Sequence, residues 1–237
     1  MLFNAISFVW NEEDIIESSI LNALCQGCDN VFIIDNGSTD STIQKAVNAG
    51  AKFVTSIKTR YFDEREKICQ LNSFVKYYNS LNIDDIIWWM YFDADEFIST
   101  HNELSLKELI MHLDKQIKAI KGYFYDHIPS YPPYNIERFH PIDFMPDCKI
   151  SSTYKIPIIK YTNGDKHIFS AGGAHEIDTN YDEFLICENA IAIHHFQYRR
   201  PDSTLRRLKM LLPRLYWMDK RSEIIYKTRK SMYHSRY

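Results

Sequence analysis

Two aspartates separated by one residue, Asp93 and Asp95, directly follow the apolar segment Ile86–Phe92. A segment without polar alternation predicts a strand covered on both faces, and a turn at its end would aim both carboxylates at one point. Unpaired carboxylates that converge are costly unless a cation lies between them. Oxygen ligands suit Mg²⁺ or Mn²⁺, which bind through a few carboxylates together with substrate phosphates. The pattern predicts a metal site for a diphosphate; the alternative is that Asp-x-Asp merely caps a helix or solvates a turn.

Two other polar clusters follow predicted strands upstream. Residues 11–13 come after the apolar run at 3–9, and residues 35–40 come after Val31–Ile34. Helical periodicity follows each cluster, and this alternation favours a largely parallel sheet. Ligands bind beyond the carboxyl ends of the strands in such a sheet, so we expect the three clusters to meet there. Further strands are predicted at 51–55, 121–126, 155–160 and 185–196, and helices at 63–80, at 104–119 and from 202.

Three motifs, in this order, resemble those of glycosyltransferase family 2 and its relatives of the GT-A fold. They are WNEED at 10–14, IIDNGSTDST at 33–42 and FDADEF at 92–97, so the resemblance covers about the first hundred residues. It implies an α/β, Rossmann-like fold with a mostly parallel central sheet flanked by helices. It also implies a hexosyltransferase-type enzyme that inverts configuration as it moves a sugar from a nucleotide diphosphate sugar to an acceptor hydroxyl.

The activity that the resemblance implies is therefore an inverting transfer of a hexosyl group.

In this family the first two loops hold the nucleotide, and the aspartates hold Mn²⁺ or Mg²⁺. By resemblance, Asp93 and Asp95 are metal ligands here, and a histidine from the second half completes the site. The donor-binding residues implied in the same way are Trp10, Asn11, Glu12, Asp35, Asn36, Arg65, Asp93, Ala94 and Arg199. Asn36 stands where many relatives have a second acid, and an amide offers a base a different hydrogen-bond pattern from a carboxylate. A UDP-sugar is the first expectation for the donor.

Two neighbouring histidines near the end of the second half are candidates for the histidine that completes the metal site. His194 and His195 lie in a predicted strand, so their side chains must point to opposite faces, and one of them is expected to be structural. The segment IHHFQYRRP at 193–201 resembles a histidine-and-arginine segment of some relatives, and by this resemblance we favour His195 as the metal ligand, with Arg199 as a phosphate contact. His175 remains an alternative ligand, since a neutral imidazole is acceptable to Mn²⁺.

The catalytic base has a weaker signal. An inverting transfer needs a carboxylate or an imidazole to take the proton of the acceptor hydroxyl. The segment GGAHEI at 172–177 supplies two glycines that permit close approach to a ligand, together with His175 and Glu176. We favour Glu176 with His175 as the catalytic pair, and Asp126 and Glu137 remain alternatives.

Charge divides the chain unevenly. The segment 199–237 holds twelve Lys or Arg against three acids, although the whole chain has a formal net charge of −3. We predict a glycosyltransferase domain at 1–198, with a nucleotide-sugar half at 1–100 and an acceptor half at 101–198, followed by a basic helical tail at 199–237. Residues 202–237 are suited to a peripheral contact with an anionic membrane, and the alternative is that their leucine face packs on the domain.

The same composition sets expectations for partners and location. The chain has neither a run of 18 apolar residues nor a basic leader, so we expect a cytoplasmic protein, at most peripheral at the inner face of the membrane. No nucleic-acid reader motif is recognisable. By the family resemblance, the expected acceptor is a glycan or a lipid-linked glycan in surface polysaccharide or glycolipid synthesis. The competing functions are a non-catalytic nucleotide-sugar or glycan binder and a nucleotidyltransferase, although WNEED lacks the glycines and basic residues that a triphosphate loop needs.

Overall fold

The computed structural model describes residues 1–58, 64–82, 86–128, 141, 145–161, 169, 186–199, 205 and 209. Its N-terminal half alternates strands and helices, as the sequence predicts. The elements are β1 Leu2–Val9, α1 Ile16–Cys25, β2 Asn30–Asp35, α2 Thr42–Asn48, β3 Lys52–Ser56, α3 Glu64–Leu81 and β4 Ile87–Tyr91. Each predicted element of this half is therefore confirmed, with shifts of a residue or two at its ends.

The second half departs further from the prediction. Its elements are β5 Glu96–Thr100, α4 Leu106–His112, β6 Ala119–His127, β7 Cys148–Tyr161 and β8 Ile186–His195. Strand β5 was not predicted, and the helix predicted at 104–119 ends at His112. Ser105 starts α4 with a capping box to Glu108, but Leu113 already has an extended backbone, with ψ 149°. The Asp114 side chain then accepts the N–H of Gln116 at 2.8 Å, which favours a turn over another helical turn.

One sheet contains all eight strands in the order β3-β2-β1-β4-β7-β6-β8-β5. The neighbours β1–β2, β2–β3, β1–β4 and β6–β8 are parallel, whereas β4–β7, β6–β7 and β5–β8 are antiparallel. Strands β5 and β7 therefore run against the other six, and the mostly parallel sheet flanked by helices is confirmed. Because β1, β2 and β4 are parallel neighbours, the loops that follow them open at the same edge.

Strand β4 lies at the centre of the core. All five of its residues are buried. Trp88 and Met90 pack into one apolar cluster with α1 and α4, whereas Trp89 and Tyr91 pack into the other with α3. Burying side chains of this size contributes about 1.5–3 kcal/mol each, so the strand that carries the Asp-x-Asp motif is firmly anchored.

Gly122 marks a close approach between β6 and β8. A Cβ atom at this position would lie 2.8 Å from the carbonyl oxygen of Ile191 and 2.6 Å from its Cγ1. We expect Gly122→Ala to destabilise the fold by about 1–3 kcal/mol, because overpacking forces the backbone to shift. Urea denaturation checks this, with Ser152→Ala at an exposed position of β7 as the control. Equal stability of the Gly122→Ala variant and the wild type would contradict the close approach.

Some predictions fall outside the described residues. These include the catalytic candidates His175 and Glu176, the alternative base Glu137, and all of the tail from residue 200 except Leu205 and Lys209. The division between domain and tail also stays a prediction. In the described part of the chain, no helix is long and apolar enough to cross a membrane.

Candidate active site

The loops after β1 and β2 are tied together by hydrogen bonds. Asn11 has a left-handed backbone, with φ 55°, and its side-chain oxygen accepts the N–H of Thr39 at 2.8 Å. The N–H of Asn11 donates to the Ser38 hydroxyl at 3.0 Å, and that of Glu12 donates to the Thr42 hydroxyl at 2.7 Å. The expectation that the first two polar clusters meet is therefore confirmed.

Asp35 shapes the second of these loops. One carboxylate oxygen accepts the N–H of Ser38 at 2.9 Å, and the other accepts the N–H of Gly37 at 3.1 Å and the Ser56 hydroxyl at 2.6 Å. Asp35 and Asn36 are both buried. Their predicted contacts with the nucleotide base stay predictions, as does the role of the half-buried Trp10.

Asp93 lies at the end of β4 between two lysines. Its Oδ1 is 2.8 Å from Lys67 Nζ and accepts the Tyr91 hydroxyl at 2.6 Å, while its Oδ2 is 3.2 Å from Lys155 Nζ. Burial alone would raise the pKa of Asp93, but Lys155 and Lys67 hold it well below its usual range. Each oxygen of this carboxylate thus already faces a cation of the protein, and the predicted role of Asp93 as a metal ligand stays a prediction.

Glu96 begins β5 and belongs to the same cluster. Its Oε2 is 2.6 Å from Lys155 Nζ and accepts the backbone N–H of Asp93 at 3.1 Å. Burial raises the pKa of Glu96, against the attraction of Lys155. Ala94, inside the turn, is buried as well.

Neither lysine was predicted as a site residue. The sequence analysis selected Arg65, which is exposed in the first turn of α3, whereas Lys67 of the same helix reaches Asp93. A signal for Lys155 was its position directly before the apolar run Ile156–Ile159 in a predicted strand, where a buried charge needs a partner. Burial alone would lower the pKa of Lys67, but Asp93 and Glu64 raise it, so this lysine stays charged.

Arg199 connects the loop after β1 to the Asp-x-Asp motif. Its side chain is 1% exposed. Nη2 donates to Glu12 at 2.7 Å, and Nε donates to Asp14 at 3.0 Å. Its Nη1 lies 3.7 Å from a carboxylate oxygen of Asp95 and makes no hydrogen bond to the described residues. Burial would lower the pKa of Arg199, but these three carboxylates outweigh it and raise the pKa. The predicted phosphate contact of Arg199 stays a prediction, since the guanidinium is enclosed by acids in this structure.

His195 lies next to the Asp95 turn. It is paired directly with Glu96 across β5 and β8, and the following N–H, of Phe196, donates to the Asp95 carbonyl at 2.8 Å. Its Nδ1 is 2.9 Å from a carboxylate oxygen of Asp126, so a ligand bound by this imidazole must use Nε2. Burial would lower the pKa of His195, but the bond to Asp126 and the charge of Asp95 raise it.

His194 has different partners, as strand alternation predicts. Its Nδ1 is 2.9 Å from His127 Nε2, and His127 Nδ1 bonds the carbonyl of Met145. A carbonyl only accepts, so His127 donates from Nδ1. Burial lowers the pKa of both histidines and so favours neutral rings, in which Nε2 of His127 accepts the Nδ1–H of His194. Burial, with His127 and His101 nearby, lowers the pKa of His194 to about 4.

The low pKa of His194 predicts a loss of stability in mild acid. The folded pKa lies below that of an unfolded histidine, so protons favour the unfolded chain, and stability that is full above pH 6.5 falls towards pH 4. We expect a loss of about 2 kcal/mol between pH 7.5 and pH 5 from this residue. Urea denaturation at both pH values measures it.

The variant His194→Gln isolates this contribution. The pKa of His195 is raised in the folded protein, so His195 has the opposite effect on stability, but it is present in both proteins and its effect cancels in the comparison. The stability of the variant should depend less steeply on pH than that of the wild type. Equal pH dependence of the two proteins would contradict the proposed arrangement of protons on His127 and His194.

Among the described residues, no group of three His, Cys, Asp or Glu side chains is arranged to hold a metal ion by itself. The predicted ligands instead lie in two adjoining groups. Asp93 is with Lys67 and Lys155, whereas Asp95 is with Arg199 and close to His195.

No protein-family model and no curated protein matches this chain. It is similar to part of several solved structures. One is a mycobacterial protein, with 19% identity, a TM-score of 0.34 and coverage of 53% of this chain and 41% of that one. Another is glucosyl-3-phosphoglycerate synthase from Mycobacterium tuberculosis in complex with Mn²⁺ and UDP-glucose, with 21% identity, a TM-score of 0.33 and coverage of 52% and 43%.

The same synthase in complex with Mg²⁺ and UDP gives 21% identity, a TM-score of 0.32 and coverage of 52% and 43%. The chain thus matches less than half of the length of each of these structures. The activity and ligands in their names belong to those proteins.

Proposed function

We propose that this chain is a metal-dependent glycosyltransferase that moves a sugar from a nucleotide diphosphate sugar to an acceptor hydroxyl. The observation that carries the proposal is the position of Arg199, which links Glu12 and Asp14 of the first loop to Asp95. The first loop is the predicted nucleotide site, and Asp95 belongs to the predicted metal site. One edge of the sheet therefore brings together the residues that were predicted to bind the nucleotide and the metal.

The surroundings of Asp95 suit a divalent cation. Glu12, Asp14 and Asp95 place three carboxylates around a single guanidinium, which leaves an excess of negative charge. His195 adds an imidazole that Asp126 orients through Nδ1. Carboxylate oxygen and imidazole nitrogen suit Mn²⁺, and few protein ligands are needed where substrate phosphates complete the shell. We assign Asp95 and His195 as the ligands of a cation that neutralises the leaving diphosphate.

Asp93 is assigned to the donor itself. Lys67 and Lys155 keep its carboxylate charged, and its side chain is 30% exposed. A charged carboxylate in this position can accept a hydrogen bond from a hydroxyl group of the sugar nucleotide. It is a poorer metal ligand than Asp95, because a cation there would have to approach two ammonium groups.

The finer assignments rest on the motifs. We propose a UDP-sugar as donor, with Trp10 and Asn11 at the base and ribose, and inversion at the transferred carbon. Glu176 or His175 would take the proton of the acceptor hydroxyl. The acceptor is a glycan or a lipid-linked glycan of a surface polysaccharide or glycolipid, and the basic residues of 202–237 suit contact with a membrane.

Ligand-induced thermal stabilisation tests the proposal. The protein is melted with UDP, GDP, CMP and their sugar conjugates, each with and without Mn²⁺. A ligand that binds only the folded state at 100 times its Kd stabilises it by about 2.7 kcal/mol, so a site of this kind gives a clear shift. We expect a metal-dependent shift with one nucleotide diphosphate, which also identifies the base. No shift with any of them would contradict a donor site.

A further inference from the structure

Lys155 is a fully buried cation on β7 that contacts the turn carrying Asp95. Its side chain is 1% exposed, and its Nζ lies 2.6 Å from Glu96 Oε2 and 3.2 Å from Asp93 Oδ2. It also lies 4.1 Å from the centroid of the Tyr91 ring. One ammonium group therefore touches both ends of the turn and the last residue of β4.

The turn itself is closed by two short-range bonds. The N–H of Glu96 donates to the Asp93 carbonyl at 2.9 Å, and the N–H of Asp93 donates to the Glu96 carboxylate at 3.1 Å. The second bond brings the buried carboxylate of Glu96 close to that of Asp93, which is partly exposed. Like charges in such a place repel strongly unless a cation lies between them, and Lys155 occupies that position.

Asp95 projects from the middle of this turn. Its carbonyl accepts the N–H of Phe196, and its carboxylate lies beside Arg199. A change in the shape of the turn would move this carboxylate relative to His195, since both belong to backbones that are joined at this point. Residues that orient metal ligands without touching the metal typically affect metal affinity by 10–100-fold.

We propose that Lys155 is a positioning residue, which holds the Asp93–Glu96 turn in the shape that aims Asp95 at the metal. This inference rests on the proposed function, because it takes Asp95 as a ligand. Lys155 itself touches neither the metal nor the donor. Its action is to keep two carboxylates together at the ends of the turn.

The test compares three variants of the full chain. Lys155→Met removes the ammonium group. Lys155→Met with Glu96→Gln removes one of the two carboxylates as well, which relieves the buried repulsion and should recover most of the melting temperature. Lys121→Met is the matched control, since Lys121 also pairs with an acid, Glu188, and also lies over a tyrosine ring, on the neighbouring strand.

Two measurements are made on each protein. The first is Mn²⁺ affinity in the presence of UDP, from the electron paramagnetic resonance signal of free Mn²⁺. The second is hydrogen exchange of the peptide that spans residues 91–98. We expect Lys155→Met and the double variant to bind Mn²⁺ about tenfold more weakly or worse, with faster exchange of this peptide, while Lys121→Met matches the wild type in both.

The outcomes separate the two proposals. If the wild type binds no Mn²⁺ with UDP, the same measurement is made with GDP, and binding with neither nucleotide would contradict both the proposed function and this inference. If the wild type binds Mn²⁺ and both Lys155 variants bind it as tightly as the wild type does, only the inference fails. Unchanged hydrogen exchange of residues 91–98 in the double variant would also overturn the inference. So would full recovery of both Mn²⁺ affinity and melting temperature in the double variant, because that result is expected of a lysine that only stabilises the fold.

Discussion

Replacing Asp95 with asparagine should reduce sugar transfer by about 10³-fold, because a cation that neutralises the leaving diphosphate contributes several kcal/mol to the transition state. The variant should still fold. Three carboxylates surround the Arg199 guanidinium, so Glu12 and Asp14 remain to pair with it when Asp95 is neutral. Turnover of the donor that the thermal screen identifies, together with the melting temperature, measures both expectations.

The matched control is Asp114→Asn, an exposed aspartate in the turn after α4. Its carboxylate accepts a backbone N–H that an amide oxygen can also accept, so transfer should be unchanged. If Asp95→Asn kept the turnover of the control, Asp95 would not be a metal ligand in this reaction.

The variant Arg199→Met should have the largest effect on stability. It leaves the carboxylates of Glu12 and Asp14, whose side chains are 11% and 17% exposed, without their buried guanidinium. Breaking a buried pair by removing one partner costs about 3–5 kcal/mol. Urea denaturation at pH 7 gives the free energy of unfolding. Lys121→Met is the comparison, because its partner Glu188 is more than half exposed and such a pair contributes about 1 kcal/mol or less.

The expected effect of Arg199→Met extends to the loop after β1, which is the predicted nucleotide site. Thermal stabilisation by the nucleotide should decrease, since Glu12 and Asp14 would no longer be held against the Asp95 turn. A variant as stable as the wild type and equally stabilised by nucleotide would show that Arg199 does not join the two motifs.

The parts of this fold that could be predicted are those with a local signal. Strands β1, β2 and β4 are continuous apolar runs that end at polar clusters, and a parallel sheet brings those ends to one edge. Strand β5 has only two apolar residues, Phe97 and Ile98, and begins with an acid of the motif. Its pairing with β8 at the edge of the sheet decides its conformation, and a sequence window contains no sign of that partner.

The partners of the charged residues could not be predicted for the same reason. Lys155 meets Asp93 from 62 positions away, and Arg199 meets Glu12 from 187 positions away. Alternation along β8 correctly separated His194 from His195, but it could not show that Asp126 holds one and His127 the other. A sequence indicates which residues need partners, whereas the topology of the sheet supplies them.

The central claim is tested most directly by the release of nucleoside diphosphate from sugar nucleotides. The wild type is incubated with UDP-sugars and GDP-sugars, a mixture of glycan acceptors and Mn²⁺, and parallel samples contain a chelator. We predict release from at least one donor that the chelator abolishes and that Asp95→Asn lacks. Absence of release from every donor, or release that is equal with the chelator, would contradict a metal-dependent glycosyltransferase.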